Sequence, residues 1–189
     1  MPTAYRALAL ERIKSVPENY FQPEDFGYQF DEWVSPYTKG AHTLGSIAIV
    51  LQDWLGAEAL TGPPNPDIQQ FGRDRTRKTN KYLEELLSRI FELSITDVYV
   101  TNVFPFIKPG KNSSNISLPL MVNTARRFTK RELEIVNPKI VLAMGSKTHK
   151  ALIRAGVDCY HLSHPARRGM NVDAHEKEWR QTLQNSAEI

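Results

Sequence analysis

Four short apolar runs of strand type, Ile47–Leu51, Val98–Val100, Ile140–Ala143 and Val157–Leu162, are separated by longer stretches with the spacing of amphipathic helices. Strands that alternate with helices pair in parallel through crossover connections, which restricts the chain to an α/β fold. The pattern predicts a three-layer α/β/α sandwich around a mainly parallel four-stranded central sheet. Its strands lie at 46–51, 97–101, 139–143 and 157–162, and its helices at about 76–92, 119–136, 146–155 and 173–185. Two boundaries carry their own chemistry. Asn137-Pro138 ends one helix, because the residue before a proline avoids α geometry. Gly145-Ser146 opens the next, where unpaired backbone amides favour an anion.

Ahead of this pattern, Thr3–Val16 reads as a helix and is followed by an irregular stretch broken by Pro17, Pro23, Gly27, Pro36 and Gly40. The expected division is an arm at 1–40, with no recognisable chemistry, and a catalytic domain at 41–189. A chain of 189 residues that is 41% hydrophobic can bury one full core. It has no apolar run of membrane-spanning length and no basic-then-apolar leader, so a soluble, intracellular and cytoplasmic monomer is expected. Cys159 is the sole cysteine, which excludes an internal disulfide and any metal or iron–sulfur site built from several cysteines. No cofactor and no metal are expected.

Each apolar run leads into a segment with chemical potential: Leu-Gln-Asp-Trp-Leu-Gly at 51–56, Val-Thr-Asn-Val at 100–103, Leu-Ala-Met-Gly-Ser at 142–146 and Ser-His-Pro-Ala-Arg-Arg at 163–168. In an open parallel sheet the carboxyl ends of the strands share one edge. Asp53, Asn102, Gly145 and His164 should therefore converge on one crevice. Taken singly, each has an ordinary structural use: an Asp or Asn that forms a turn, a helix start, a loop histidine. A carboxylate, an amide, a helix-start Gly-Ser and a histidine in one cleft suggest an active site. Asp53 can offset positive charge and orient a water, and a neutral His164 can donate a hydrogen bond as negative charge develops. Asn102 carries a donor and an acceptor on one planar amide.

Basic residues outnumber acidic ones over 71–89 and 126–180, beside these motifs, whereas the reverse holds over 1–40. Such a distribution attracts phosphate, as would any solvated basic surface. Lys108, Lys111, Ser113-Ser114 and the Thr-Arg-Lys-Thr stretch at 76–79 are further phosphate candidates or solvated loop residues.

Over roughly residues 44–185 the four motifs, in this order, resemble those of the uracil-DNA glycosylase superfamily. Gln52-Asp53 resembles its water-activating Gln-Asp, and Val98–Val103 its strand ending in a base-reading asparagine. Val141–Ser146 resembles its strand-to-helix turn lying between other motifs, and Ser163-His164-Pro165 its His-Pro motif that enters the minor groove. The resemblance implies catalytic roles for Asp53 and His164, and base contacts from Gln52, Trp54, Phe71 and Asn102. It implies DNA contacts from Gly145, Ser146, Ser163, Arg167 and Arg168, with the arginines or Met170 as the wedge. The family's best-known branch has glycine before Gln-Asp and Pro-Tyr after it, where this chain has Leu51, Trp54 and Leu55. The tyrosine that crowds out thymine is thus absent, and Leu55 or Trp54 has the bulk to replace it. The four cysteines of cluster-bearing branches and the basic, histidine-containing insert of the branch that forms a covalent DNA adduct are also absent.

The expected function is that of a monofunctional, cluster-free uracil-DNA glycosylase acting in base excision repair on single- or double-stranded uracil-containing DNA, with free uracil as product. No motif lysine or cysteine is placed as a covalent nucleophile, so lyase activity is not expected. Two other readings remain open: a catalytically weak protein that binds DNA or abasic sites, and a glycosylase for hypoxanthine or xanthine.

Overall fold

A computed structural model describes residues 1–187. In chain order its principal elements are α1 (Thr3–Ile13), β1 (Ile47–Asp53), α2 (Pro66–Phe71), α3 (Lys78–Phe91), β2 (Tyr99–Phe104), α4 (Leu118–Thr124), α5 (Lys130–Val136), β3 (Ile140–Met144), α6 (Ser146–Ala155), β4 (Tyr160–Leu162) and α7 (Val172–Ala187). The four strands form an all-parallel sheet in the order β2-β1-β3-β4, flanked by helices on both faces. This is the expected α/β sandwich.

Side chains alternate across the sheet with period two, and each face has its own core. Ile47, Ile49 and Leu51 join Val98, Val100, Leu142 and Met144 beneath α3 and α7, where Leu83, Leu87 and Trp179 close the layer. Ala48, Val50, Tyr99, Val103 and Ala143 face the other way, toward α1, α4, α5 and α6. The helix after β1 therefore covers one face and the helix after β3 the other. That divergence opens a crevice at the carboxyl ends of these two neighbouring strands.

Helix α6 has the predicted bounds, opened by Gly145 at φ +92° and closed by Gly156 in the left-handed region. The helix expected over 119–136 is interrupted by a π turn at Ala125–Thr129, so it is α4 and α5 in succession. The strand expected over 157–162 begins only at Tyr160, and the loop expected over 55–72 contains α2, started by Asn65 capping Asp67 N–H and by Pro66.

Residues 1–40 contribute to both cores: Tyr5 and Leu8 pack with β2 and α4, while Phe30 joins Trp54. Arg12 is buried and fastens the arm through the carbonyls of Phe30 and Trp33 and a bidentate pair with Glu24.

Candidate active site

Asp53 ends β1, and its side chain borders a cavity of about 170 Å³ shared with Tyr37, Leu51, Trp54, Leu55, Arg77, Thr79, Asn112 and His164. Two of the four motif residues, Asp53 and His164, therefore face one space at the carboxyl edge. Gly145 backs it, since a side chain there would lie 3.6 Å from the His164 Cβ, and Ser146 is exposed at the start of α6.

The Asp53 carboxylate is held on both oxygens. Gln52 Nε2 donates to Oδ1 at 2.7 Å, and Lys108 Nζ donates to Oδ2 at 2.5 Å. Lys108 is 2% exposed and Asp53 11%, so this ion pair is largely shielded from water. The expectation that Lys108 is a phosphate contact or a solvated loop residue is overturned. Its position follows from how two loops zip together: Ala57 N–H donates to the Lys108 carbonyl, Glu58 N–H to that of Gly110, and Gly56 N–H to Asn112 Oδ1. A Cβ on Gly56 would stand 2.6 Å from the Gly110 oxygen, so only glycine permits this approach.

His164 Nδ1 accepts the Ala166 N–H at 3.1 Å, which places the proton of the neutral ring on Nε2. Burial pushes its pKa below the usual imidazole value; the nearby Asp53 charge opposes that shift and His175 adds to it. The ring is thus a neutral donor.

Asn102 lies on β2 opposite Leu51 in the parallel register, fully buried and not itself a wall of the cavity. Its Oδ1 accepts the Ser35 hydroxyl at 2.6 Å, its carbonyl accepts from Thr129, and its Nδ2 is buried without a hydrogen-bond partner among the described residues. Phe71, expected as a stacking platform, lies elsewhere. It ends α2 beneath the Arg75 guanidinium, 4.3 Å from its ring centre, and borders a groove along α3 rather than the Asp53 cavity. That groove is larger, about 1220 Å³, but mixes charges of both signs with no convergent chemistry.

The aromatic walls are instead Trp54 and Tyr37. Trp54 Nε1 donates to the Gly72 carbonyl and its ring packs edge-on against Tyr28 and Phe30. Tyr37 donates to Asn80, and burial pushes its phenol up to about 12. The arm expected to carry no chemistry thus supplies one wall and, through Ser35, the partner of Asn102. Gly72, at φ +69°, makes this possible: a Cβ there would overlap the Pro36 carbonyl, so any other residue would displace Tyr37.

Ser163 is buried, its hydroxyl donating to Glu178 and accepting from Arg167, which turns it toward α7 rather than toward a DNA phosphate. Arg167 and Arg168 are exposed on the loop between β4 and α7. Among the described residues no three His, Cys, Asp or Glu side chains gather to hold a metal ion, and no helix is long and apolar enough to cross a membrane.

With this geometry in place, sequence comparison supplies the family. The model of the uracil DNA glycosylase superfamily matches residues 58–185, well over half of the chain. The chain belongs to the uracil DNA glycosylase superfamily. Among curated proteins none matches it in sequence. The span shared with the superfamily takes in Asn102, Gly145 and His164 and begins just after Asp53. Membership supports a DNA-glycosylase-like function without fixing the base removed.

Proposed function

We propose that this superfamily member removes uracil from DNA by flipping the nucleotide into the Asp53 cavity and hydrolysing its N-glycosidic bond. The observation that carries the reading is a carboxylate and a neutral imidazole facing one cavity at the sheet's carboxyl edge. Leu51, Leu55, Trp54 and Tyr37 supply the walls that replace stacking in the duplex.

As the glycosidic bond lengthens, positive charge grows on the sugar and negative charge on the base. The Asp53 carboxylate stabilises the first and orients the attacking water. His164 Nε2–H donates to the base O2 as the second develops. Asn102, one strand from Leu51, is fully buried and not a wall of the cavity, so the proposed base contacts are those of His164 and the walls. Arg168 and Arg167, on the loop after His164, hold the opened duplex.

The test is excision from oligonucleotides that carry one uracil, hypoxanthine, xanthine or mismatched thymine, followed by alkaline cleavage. Uracil should be removed fastest. Preference for a purine, or binding to every oligonucleotide without excision, would overturn the assignment.

A further inference from the structure

Strand β4 lies at the edge of the sheet and is only three residues long, and its ladder with β3 ends at the Met144–Leu162 pair. His164, which borders the Asp53 cavity, is the next residue but one. Sheet pairing therefore stops short of the imidazole, and another element holds the chain there. Helix α7 does so. Its Glu178 carboxylate accepts the Ser163 backbone N–H at 3.2 Å on Oε1 and 3.1 Å on Oε2, and Oε1 also accepts the Ser163 hydroxyl at 2.8 Å. Ser163 is 4% exposed, so its N–H needs a partner within the protein and the bonds are shielded from water.

The anchor is itself fixed. Trp179, beside Glu178 on α7, and His175, one turn earlier, are fully buried, and Arg89 of α3 pairs with Asp173 and Glu176. From the other side Arg167 Nη1 donates to the Ser163 hydroxyl at 2.7 Å, and the Arg167 N–H donates to the His164 carbonyl at 2.8 Å. Neither Ser163 nor Glu178 borders the cavity, so any effect they have on a nucleotide passes through His164.

We propose that Glu178 is a positioning residue, which by holding Ser163 sets where His164 Nε2–H points in the cavity; this rests on the reading that His164 donates to a flipped base. The Ala166 N–H fixes the tautomer of the ring, and Glu178 fixes the backbone that carries it. A displacement of about 1 Å is enough to cost about 10²-fold in rate. Reach matters here rather than charge, because one oxygen, Oε1, takes both the N–H and the hydroxyl of Ser163. An amide oxygen at that place can do the same, whereas a carboxylate one methylene shorter falls short.

The experiment compares the full chain with Glu178→Gln, Glu178→Asp and Glu178→Ala, each checked by thermal unfolding, for single-turnover excision from a uracil-containing duplex and for duplex affinity. Glu178→Gln should keep most of the natural rate. Glu178→Asp and Glu178→Ala should lower it about 100-fold with duplex affinity little changed. In a His164→Ala background the Glu178→Ala change should add little, because the group it positions is gone. An Asp variant as fast as the Gln variant would overturn the proposal, as would an equal loss with and without the imidazole; the Gln and Asp pair decides even where Glu178→Ala fails to fold. The ring gives a second readout that needs no substrate. At alkaline pH the ¹⁵N shifts of His164 should report the Nε2–H tautomer in the natural chain and in Glu178→Gln, and a mixture of tautomers in Glu178→Asp. Where the natural chain releases no uracil the proposed function falls, and the ring still decides the role of Glu178: unchanged shifts in Glu178→Asp would overturn it.

Discussion

His164 illustrates how one residue's neighbours decide its chemistry. The Ala166 N–H fixes its tautomer, and burial disfavours its charged form, so the ring stays a donor without becoming an imidazolium. Because that pKa is lowered, excision should hold its rate from pH 8 down to the ordinary imidazole range and fall only below it. A pH profile of single-turnover excision checks this; a decline already beginning above pH 7 would assign the titration to another group. His164→Ala should abolish the plateau and lower the rate by about 10²-fold or more. At this scale the sequence was legible where a motif ends a strand, as with Asp53 and His164. Lys108 and Tyr37 were not, because their places depend on long-range packing that no local spacing encodes. Lys108 needs the close approach at Gly56, and Tyr37 needs the overlap-free turn at Gly72. Phe71 was misplaced for the same reason: α2 turns its ring under Arg75 instead of toward Asp53.

Among the elements, α5 is tied to β2 by a buried acid. Glu132 accepts hydrogen bonds from Tyr99 and Thr101, and more weakly from Tyr5 of α1. Burial outweighs those donors and pushes its pKa up to about 7. A carboxyl group with a folded-state pKa above its unfolded value of 4.5 favours folding while protonated. Its contribution is full below about pH 4.5 and is lost as pH rises through about 7, by up to about 3 kcal/mol. Glu132→Gln cannot titrate. Denaturant unfolding at pH 5, 6, 7 and 8 should therefore show the stability of the natural chain falling relative to this variant as pH rises. A constant difference would mean that Glu132 keeps one charge state throughout. The apolar alternation made the strands and α6 readable in the sequence. The π turn was not, because its residues have the same amphipathic spacing as a continuous helix.

For the whole molecule, the sheet order places Asp53 and His164 on diverging connections, and under the proposed function the exposed loop after His164 is where duplex DNA would be opened. Arg168 is exposed on that loop, whereas Arg167 also donates to Ser163, which in turn donates to Glu178. Arg168→Ala should therefore slow excision from duplex more than from single strands, and should reduce the slope of log K against log salt by about 0.9 if one phosphate contact is lost. Equal slowing on both substrates with an unchanged slope would remove Arg168 from DNA opening. The proposed reaction depends on Asp53 acting on a nucleotide inside its cavity, and single-turnover release of free uracil from a uracil-containing duplex tests that most directly. The natural chain should release uracil, and Asp53→Asn should do so about 10²–10⁴-fold more slowly while binding the duplex with similar affinity; release by the variant at the natural rate would contradict the account.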